Sequence, residues 1–486
     1  MKKNPFTARL GALLLCGSLF ASMLAGCGSD HGLSAKSPVT VTVWHYYNGA
    51  QQRSFDQMVS EFNATVGKDK GIIVAASSKG DVNELISHTM DAIDHKVGAA
   101  EIPTIIAAYA DTAYTINERG MAADIGSYLT DKELAQYIPA YIAEGRFSGD
   151  GSLKLFPIAK STEIFMLNKT DWDAFAAATG ATDDSFKTWE GLTDVSRRYY
   201  EWTDAQTPDI PNDGRAFFGR DAMANYLIIG SLQLGHELFD VTDGQVQFDV
   251  DEDAMYRLWE NFYVPYVNGW FASSGRFRSD DVKTGDIVSL VGSTSGVTYF
   301  PTAVTRDDGS SYEIESAVYP VPNFEGTEPY AVQQGAGMLV TKSDETHEYA
   351  ATVFLKWFTS TQNNLQFAVD SGYLPVTVEA NSEEALGAAF EHAAEPVPET
   401  LQEVLLNGIY TTQNYSLYTN RAFAQGNDAR KIVENSLLDA AKEDREQVVF
   451  RLSIGMSQEE AVAPFVTREQ FSQWLAGFRA QLEALL

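Results

Sequence analysis

Hydrophobic and polar residues change between two periodicities along the first quarter of the chain, and each change marks a predicted element. β-Branched residues alternate with polar ones from Val39 to His45, which predicts a strand, whereas apolar residues three and four positions apart predict the helix that follows. This succession occurs three times, and its predicted elements are strand 39–45, helix 51–63, strand 71–76, helix 82–97, strand 103–109 and a short helix capped by Asp111. Strands that alternate with helices indicate a parallel α/β sheet, in which ligands bind at the carboxyl ends of the strands.

A turn rich in glycine near residue 150 divides the chain into two predicted lobes, and a new succession of elements follows it. The segment 161–169 is long for one strand, so we interpret it as the first crossing between the lobes, and we interpret strand 317–322 as a return crossing. The other predicted elements are helices 189–202 and 221–234, a hairpin over 240–249, helix 255–267, strands 285–291 and 337–341, helices 348–358 and 363–370, and helix throughout from residue 382. The predicted lobes are 39–153 with 320–360, and 154–319 with 361–486.

The first 27 residues have the composition of an export signal. Three basic residues precede an apolar run over 10–25 that is too short to span a bilayer. The segment Leu24-Ala25-Gly26-Cys27 resembles the bacterial lipobox, after which lipoproteins are cleaved and acylated. The resemblance implies a signal peptide over 1–26, lipidation of Cys27 with palmitate or a similar chain, a tether over 27–38, and attachment to the extracellular face of the cell membrane. Ordinary secretion with a chance cysteine remains the alternative.

Composition and charge exclude several classes of function. The two cysteines are Cys16 and Cys27, so a chain without its signal has no disulfide and no cysteine metal site. The formal net charge of −31 repels nucleic acid and anionic lipid. Acidic residues from Asp249 onward have the spacing of a calcium loop, but Ala254 stands where such loops need glycine. We therefore expect no metal and no cofactor, and no sequence motif marks a catalytic centre.

Three segments together resemble the family 1 extracellular solute-binding proteins of ABC importers. They are Val41-Thr42-Val43-Trp44-His45 with the helix that contains Glu61-Phe62-Asn63, the stretch from Phe156-Pro157 to Asn168-Lys169 followed by Trp189, and the helix over 351–360 that leads into Gly372-Tyr373-Leu374-Pro375-Val376. The resemblance implies a type II periplasmic-binding-protein-like fold with two α/β lobes. Each lobe would hold a mixed, mostly parallel sheet, and crossing segments would form the hinge. It further implies a monomer without enzymatic activity that binds a solute between its lobes and delivers it to a membrane permease.

Within that family the chain is most similar to the glycerol-3-phosphate-binding proteins, which share Lys79-Gly80 after the second strand and the Gly-Tyr-Leu-Pro sequence. The aromatic residue that follows this lysine-glycine pair in the family is Val82 here. The solute therefore stays open between a neutral sugar or oligosaccharide, a polyol derivative and a sugar phosphate.

Strand ends and the resemblance together nominate the ligand-binding residues. Tyr46 and Tyr47 follow the first strand and offer the flat aromatic faces that carbohydrate recognition uses. The positions that the resemblance adds are Asp111, Ser161, Thr162, Ser293, Thr294, Gly335, Tyr373 and Arg421.

Two other functions remain open from the sequence. A lipid-anchored glycoside hydrolase would need two carboxylates that face each other across a cleft. An adhesion or scaffold lipoprotein would need no working cleft.

Overall fold

The computed structural model describes residues 31–486 except Asp243 and Asp307. The predicted signal peptide and Cys27 lie outside the described residues. The strands are β1 (Val39–His45), β2 (Ile72–Ser78), β3 (Ile105–Ala108), β4 (Glu163–Asn168), β5 (Phe218–Arg220), β6 (Phe239–Thr242), β7 (Gln245–Phe248), β8 (Ser289–Ser293), β9 (Ala303–Thr305), β10 (Ser311–Glu313), β11 (Ser316–Pro320), β12 (Tyr330–Val332), β13 (Gly337–Val340) and β14 (Ser416–Tyr418).

The helices are α1 (Gly49–Ala64), α2 (Val66–Lys70), α3 (Val82–Ile93), α4 (Ala110–Glu118), α5 (Asp131–Leu134), α6 (Pro139–Glu144), α7 (Lys169–Thr179), α8 (Trp189–Asp204), α9 (Met223–Gln233), α10 (Glu252–Asn268), α11 (Arg278–Thr284), α12 (Glu345–Phe358), α13 (Thr361–Ser371), α14 (Glu383–His392), α15 (Glu399–Asn414), α16 (Gly426–Ser453), α17 (Gln458–Val462) and α18 (Arg468–Glu483). Short 3-10 turns occupy Ile125–Tyr128, Asp183–Phe186 and Thr294–Tyr299. Across the described part of the chain, no helix has the length and apolar character that crossing a bilayer requires.

The first lobe is built on a sheet with the strand order β13-β3-β1-β2. Strand β1 runs parallel to β2 and β3, and β13 adds an antiparallel edge. All four residues of β3 are buried, as expected for a strand that is covered on both faces. Because β1 and β3 are parallel neighbours, the residues that follow them lie at one edge of the sheet.

The second lobe is built on a sheet with the strand order β11-β4-β8-β5. Strand β4 is antiparallel to both β8 and β11, whereas β5 is parallel to β8. The mostly parallel arrangement expected for each lobe is therefore wrong in this detail for the second sheet. Strands β8 and β11 lie on either side of β4, and both run antiparallel to it.

Two predictions about the later elements also need correction. The predicted return crossing over 317–322 is largely β11, an edge strand of the second sheet, and the contact with the first crossing comes later, where Gln334 pairs with Ser161. The region after residue 382 is not helical throughout, because β14 pairs in parallel with β12. A three-residue strand of this kind depends on a partner distant in sequence and has no local pattern of its own.

Candidate functional site

Tyrosines gather where β1 and β3 end at the edge of the first sheet. The rings of Tyr46 and Tyr109 stack with their centroids 6.4 Å apart. The hydroxyl of Tyr46 lies 3.4 Å from that of Tyr373 and accepts a hydrogen bond of 3.3 Å from the amide of Ala336. Burial raises the pKa of Tyr46 well above its ordinary value, so the phenol stays neutral. Tyr47 is 1% exposed and packs inside the core of the first lobe.

Asp111 lies at the first turn of α4, at the same edge of the sheet. It does not cap the helix as expected, because α4 already begins at Ala110 and its N-cap is Tyr109. The Asp111 side chain is buried, and its Oδ1 has no hydrogen-bond partner among the described residues. Burial raises the pKa of Asp111 to about 6, although nearby Arg430, the Phe423 amide and the Asn420 side chain act in the opposite direction. The residue facing it is Gly426, where an added Cβ would lie 2.2 Å from Asp111 Oδ1.

The second lobe presents a buried polar network at the start of β4. Glu163 pairs with Arg220 at 2.8 Å and accepts a hydrogen bond of 2.9 Å from Asn225 Nδ2. The same amide nitrogen lies 3.4 Å from Gln334 Oε1, and Asn225 Oδ1 accepts a hydrogen bond of 2.6 Å from Arg430. This network connects the second sheet, the crossing segment and α16, so Arg430 lies between Asn225 and the Asp111 side of the first lobe.

Two threonines with buried hydroxyls are joined through their backbones beside the crossing segments. Ser161 and Gln334 exchange backbone hydrogen bonds of 2.9 and 3.0 Å. The carbonyl of Thr162 accepts a bond of 2.9 Å from the amide of Thr294, and the hydroxyls of both threonines are buried without a partner in the described structure. Gly335 has a φ of +95°, and an added Cβ would lie 3.0 Å from a backbone carbonyl, so the close approach of the two crossings requires glycine here.

A buried ion pair lies beside these crossings. The side chains of Lys160 and Glu144 are 1% and 5% exposed, and their charged atoms are 2.5 Å apart. Lys160 also donates a hydrogen bond of 2.8 Å to the carbonyl of Gly335, and Gln333 donates to Glu144. Both charges are therefore compensated within the protein.

The two lobes touch directly at the rim of the cleft. Ser293 caps the 3-10 turn that follows β8, and its hydroxyl lies 2.9 Å from that of Ser295. From the first lobe, Gln51 Nε2 donates a hydrogen bond of 3.2 Å to the carbonyl of Ser295. The hydroxyl of Tyr299 donates to Asn48 Oδ1 at 2.9 Å. The two lobes are thus joined by hydrogen bonds across the rim of the cleft.

A family model described as bacterial extracellular solute-binding protein matches residues 57–394, more than two thirds of the chain. The chain belongs to this family. No curated protein sequence matches it.

Solved structures share the fold of this solute-binding protein over 92% of its length. One is a cyclic α-maltosyl-1,6-maltose binding protein from Arthrobacter globiformis, with 18% identity, 99% of that chain covered and a TM-score of 0.63. UgpB from Mycobacterium tuberculosis, solved with glycerophosphocholine, has 17% identity, 100% covered and a TM-score of 0.64. An ABC substrate-binding protein from Listeria monocytogenes, solved with cycloalternan, has 15% identity, 100% covered and a TM-score of 0.63. These likenesses confirm the two-lobe type II fold expected from the sequence.

Arg421, one of the residues nominated in this solute-binding protein, does not lie with the tyrosines and Asp111 of the cleft. Arg421 is exposed and donates a hydrogen bond of 3.2 Å to the carbonyl of Val241 on the β6–β7 hairpin. The base that faces Asp111 is instead Arg430, in the second turn of α16. The cleft side chains that the sequence did not nominate are Tyr109, Asn225, Gln334 and Arg430. Of these, only Tyr109 carried a sequence signal, since it ends a predicted strand.

The cleft offers hydrogen-bonding groups and aromatic faces rather than a metal centre. Within the described ranges, no three His, Cys, Asp or Glu side chains are grouped so that they could hold a metal ion. The neutral phenols and the carboxylate of the first lobe, together with the threonine hydroxyls of the second lobe, can instead bond to a polar solute.

Proposed function

We propose that this solute-binding protein captures a carbohydrate or a related polyhydroxyl solute between its lobes and delivers it to the permease of an ABC importer. One observation carries the proposal. Asp111 Oδ1 and the hydroxyls of Thr162 and Thr294 are buried without partners, yet buried polar groups in folded proteins are almost always bonded. A solute rich in hydroxyl groups would satisfy them, while the stacked rings of Tyr46 and Tyr109 would cover its apolar faces.

Closure of the lobes supplies the means of capture. The rim bonds from Gln51 and Tyr299 form only when the lobes meet, so a solute that contacts both lobes favours the closed state through its differential affinity. The solved structures with the same fold include proteins named for a cyclic maltosyl-maltose or solved with cycloalternan, which supports a carbohydrate class. Binding, rather than catalysis, is the activity that we propose.

We further propose that the protein is a monomer attached to the extracellular face of the membrane through acylated Cys27. The lipobox-like segment Leu24-Ala25-Gly26-Cys27 supports this assignment. A tether keeps the protein close to its permease, so a high effective concentration replaces a high affinity for that partner. A Cys27→Ala variant should leave the membrane fraction and lose incorporation of labelled palmitate while it keeps solute binding. Retention in the membrane fraction would refute the anchor.

A thermal-shift screen tests the solute class. The protein, purified without the predicted signal peptide and Cys27, would be screened with maltose, maltotriose, cellobiose, raffinose and sorbitol. A bound solute at a hundredfold excess over its dissociation constant should stabilise the fold by about 2.7 kcal/mol. The Tyr109→Ala variant should lose this stabilisation, whereas Tyr410→Ala, at an exposed site on α15, should keep it. A shift that Tyr109→Ala leaves intact, or turnover of an oligosaccharide, would contradict the proposal.

A further inference from the structure

Asp221 lies at the edge of the second sheet that faces the first lobe. It follows β5 directly, and its amide donates a hydrogen bond of 3.0 Å to the carbonyl of Val291 on β8. Its Oδ2 lies beside Gly292, next to the turn whose residues reach the first lobe. On the same side of the cleft, Arg276 of the second lobe approaches Asp81 of the first lobe to 3.7 Å.

The carboxylate of Asp221 is fixed through one oxygen and open at the other. Its Oδ1 accepts a hydrogen bond of 3.2 Å from the amide of Arg278. The guanidinium of Arg278 bonds mainly to Asp281 and to the carbonyl of Gly275, and its Nε stays 3.6 Å from Asp221. In the described structure Asp221 Oδ2 takes part in no hydrogen bond, although the side chain is only 36% exposed. Burial raises the pKa of Asp221 to about 6, as expected for a carboxylate in a recess.

The bases around the cleft leave little positive charge for a solute. Buried bases pair with buried acids within 4 Å, and the pairs are Lys160 with Glu144, Arg220 with Glu163, and Arg278 with Asp281. Arg430 has no ion pair within that distance in the described chain, but it bonds to Asn225 and lies beside Asp111. Arg278 also lies 3.6 Å from Asp221, so its single charge is shared between Asp281 and Asp221. Four bases therefore stand against five carboxylates, and Asp111 and Asp221 are the two acids without a base of their own.

We infer that the solute is an uncharged polyhydroxyl compound without phosphate, and that Asp221 accepts a hydrogen bond from it on the second lobe as Asp111 does on the first. This inference rests on the proposed function. A hydroxyl donor would satisfy each open carboxylate oxygen, and a hydrogen bond to an ionised acceptor is among the stronger ones. A phosphate bound beside either carboxylate would add a like charge, and like charges disfavour each other.

Calorimetric titration of Asp221→Asn tests the inference. The neutral probes are maltose, maltotriose, cellobiose, raffinose and sorbitol, and the charged probes are glucose 6-phosphate, glycerol 3-phosphate and glycerophosphocholine. Asp221→Asn should weaken binding of a neutral probe roughly 10- to 100-fold, because the amide cannot replace a charged acceptor. The matched control Asp209→Asn, at an exposed site in the loop after α8, should bind as the wild type does. Unchanged thermal unfolding of both variants without probe would show that the folds are intact.

The outcomes separate this inference from the proposed function. If a phosphorylated probe binds more tightly than the neutral ones, the inference is overturned while solute capture stands. If a neutral probe binds and Asp221→Asn leaves its affinity unchanged, the role of Asp221 is overturned. If no probe of either kind binds, the proposed function fails, and the inference fails with it. Neutral binding that Asp221→Asn weakens and Asp209→Asn preserves supports both.

Discussion

Replacing Asp111 with asparagine should stabilise the unliganded protein at neutral pH and weaken solute binding. The side chain is 8% exposed and its Oδ1 is unpartnered among the described residues, so the fold carries a desolvated charge there. Desolvation raises the pKa of Asp111 from 3.8 to about 6. A group held for a ligand commonly reduces the stability of its protein in this way.

The size and sign of the effect follow from this pKa. A tenfold change in an acid dissociation constant corresponds to about 1.4 kcal/mol, so the ionised carboxylate of Asp111 costs the folded state about 3 kcal/mol above pH 6. The folded state binds the proton more tightly than the unfolded state does. The stabilising proton is bound below about pH 4, and this contribution to stability is lost as the pH rises from about 4 to about 6. An asparagine has no such dependence.

Urea unfolding at several pH values measures this difference. The free energy of unfolding of Asp111→Asn should exceed that of the wild type by about 3 kcal/mol at pH 8 and approach it near pH 4. The control Asp209→Asn should show no difference of this kind. A variant that is less stable than the wild type at pH 8, or a difference that is the same at pH 4 and pH 8, would refute the reasoning.

Three further substitutions test lobe contact and the hinge. Gly426→Ala places a methyl group against a carboxylate of the opposite lobe, so calorimetry should show weaker solute binding, by about 1–3 kcal/mol, whereas Gly477→Ala, with open space around it, should bind normally. Lys160→Met leaves a buried acid unpaired and should lower the free energy of urea unfolding by about 3–5 kcal/mol, whereas Lys96→Met, in an exposed pair, should unfold as the wild type does. Tyr299→Phe removes a hydrogen bond that joins the two lobes at the rim, and calorimetry should show affinity lower by about 0.5–1.5 kcal/mol. An unchanged affinity in Gly426→Ala or Tyr299→Phe would show that these contacts between the lobes do not contribute to solute binding.

The sequence predicted those elements whose position depends on the residue pattern within the element itself. Strand β1 and helix α8 lie within a few residues of their predicted positions, because strict alternation and helical spacing each define a buried face. Strand β14 and the antiparallel pairing of β4 were not predicted, since each depends on a partner far away in the sequence. The helix after β3 was predicted, but not its start: an aspartate near a helix terminus resembles a cap even when the helix begins before it.

The residues of the cleft also divide into those that the sequence could predict and those that it could not. The aromatic residues after β1 and β3 could be expected near a ligand because the carboxyl ends of parallel strands converge. The hydrogen bonds among Asn225, Gln334 and Arg430 could not be expected, because they connect α9, a crossing segment and α16. Arg421 and Arg430 are nine positions apart in sequence, and because α16 starts between them at Gly426, Arg430 and not Arg421 faces Asp111. The sites nominated only by resemblance stay predictions until binding is measured.

Because α16 is long, movement of its far end can report on the opening of the cleft. The helix starts at Gly426 against the first lobe and continues for 28 residues, which is about 42 Å of rigid rod. Near its far end Phe450 is 59% exposed. Because displacement grows with distance from the axis of rotation, a small opening of the cleft becomes a large movement there. A fluorophore placed at Phe450, paired with one on the first lobe, would therefore convert solute capture into an optical signal without touching the cleft.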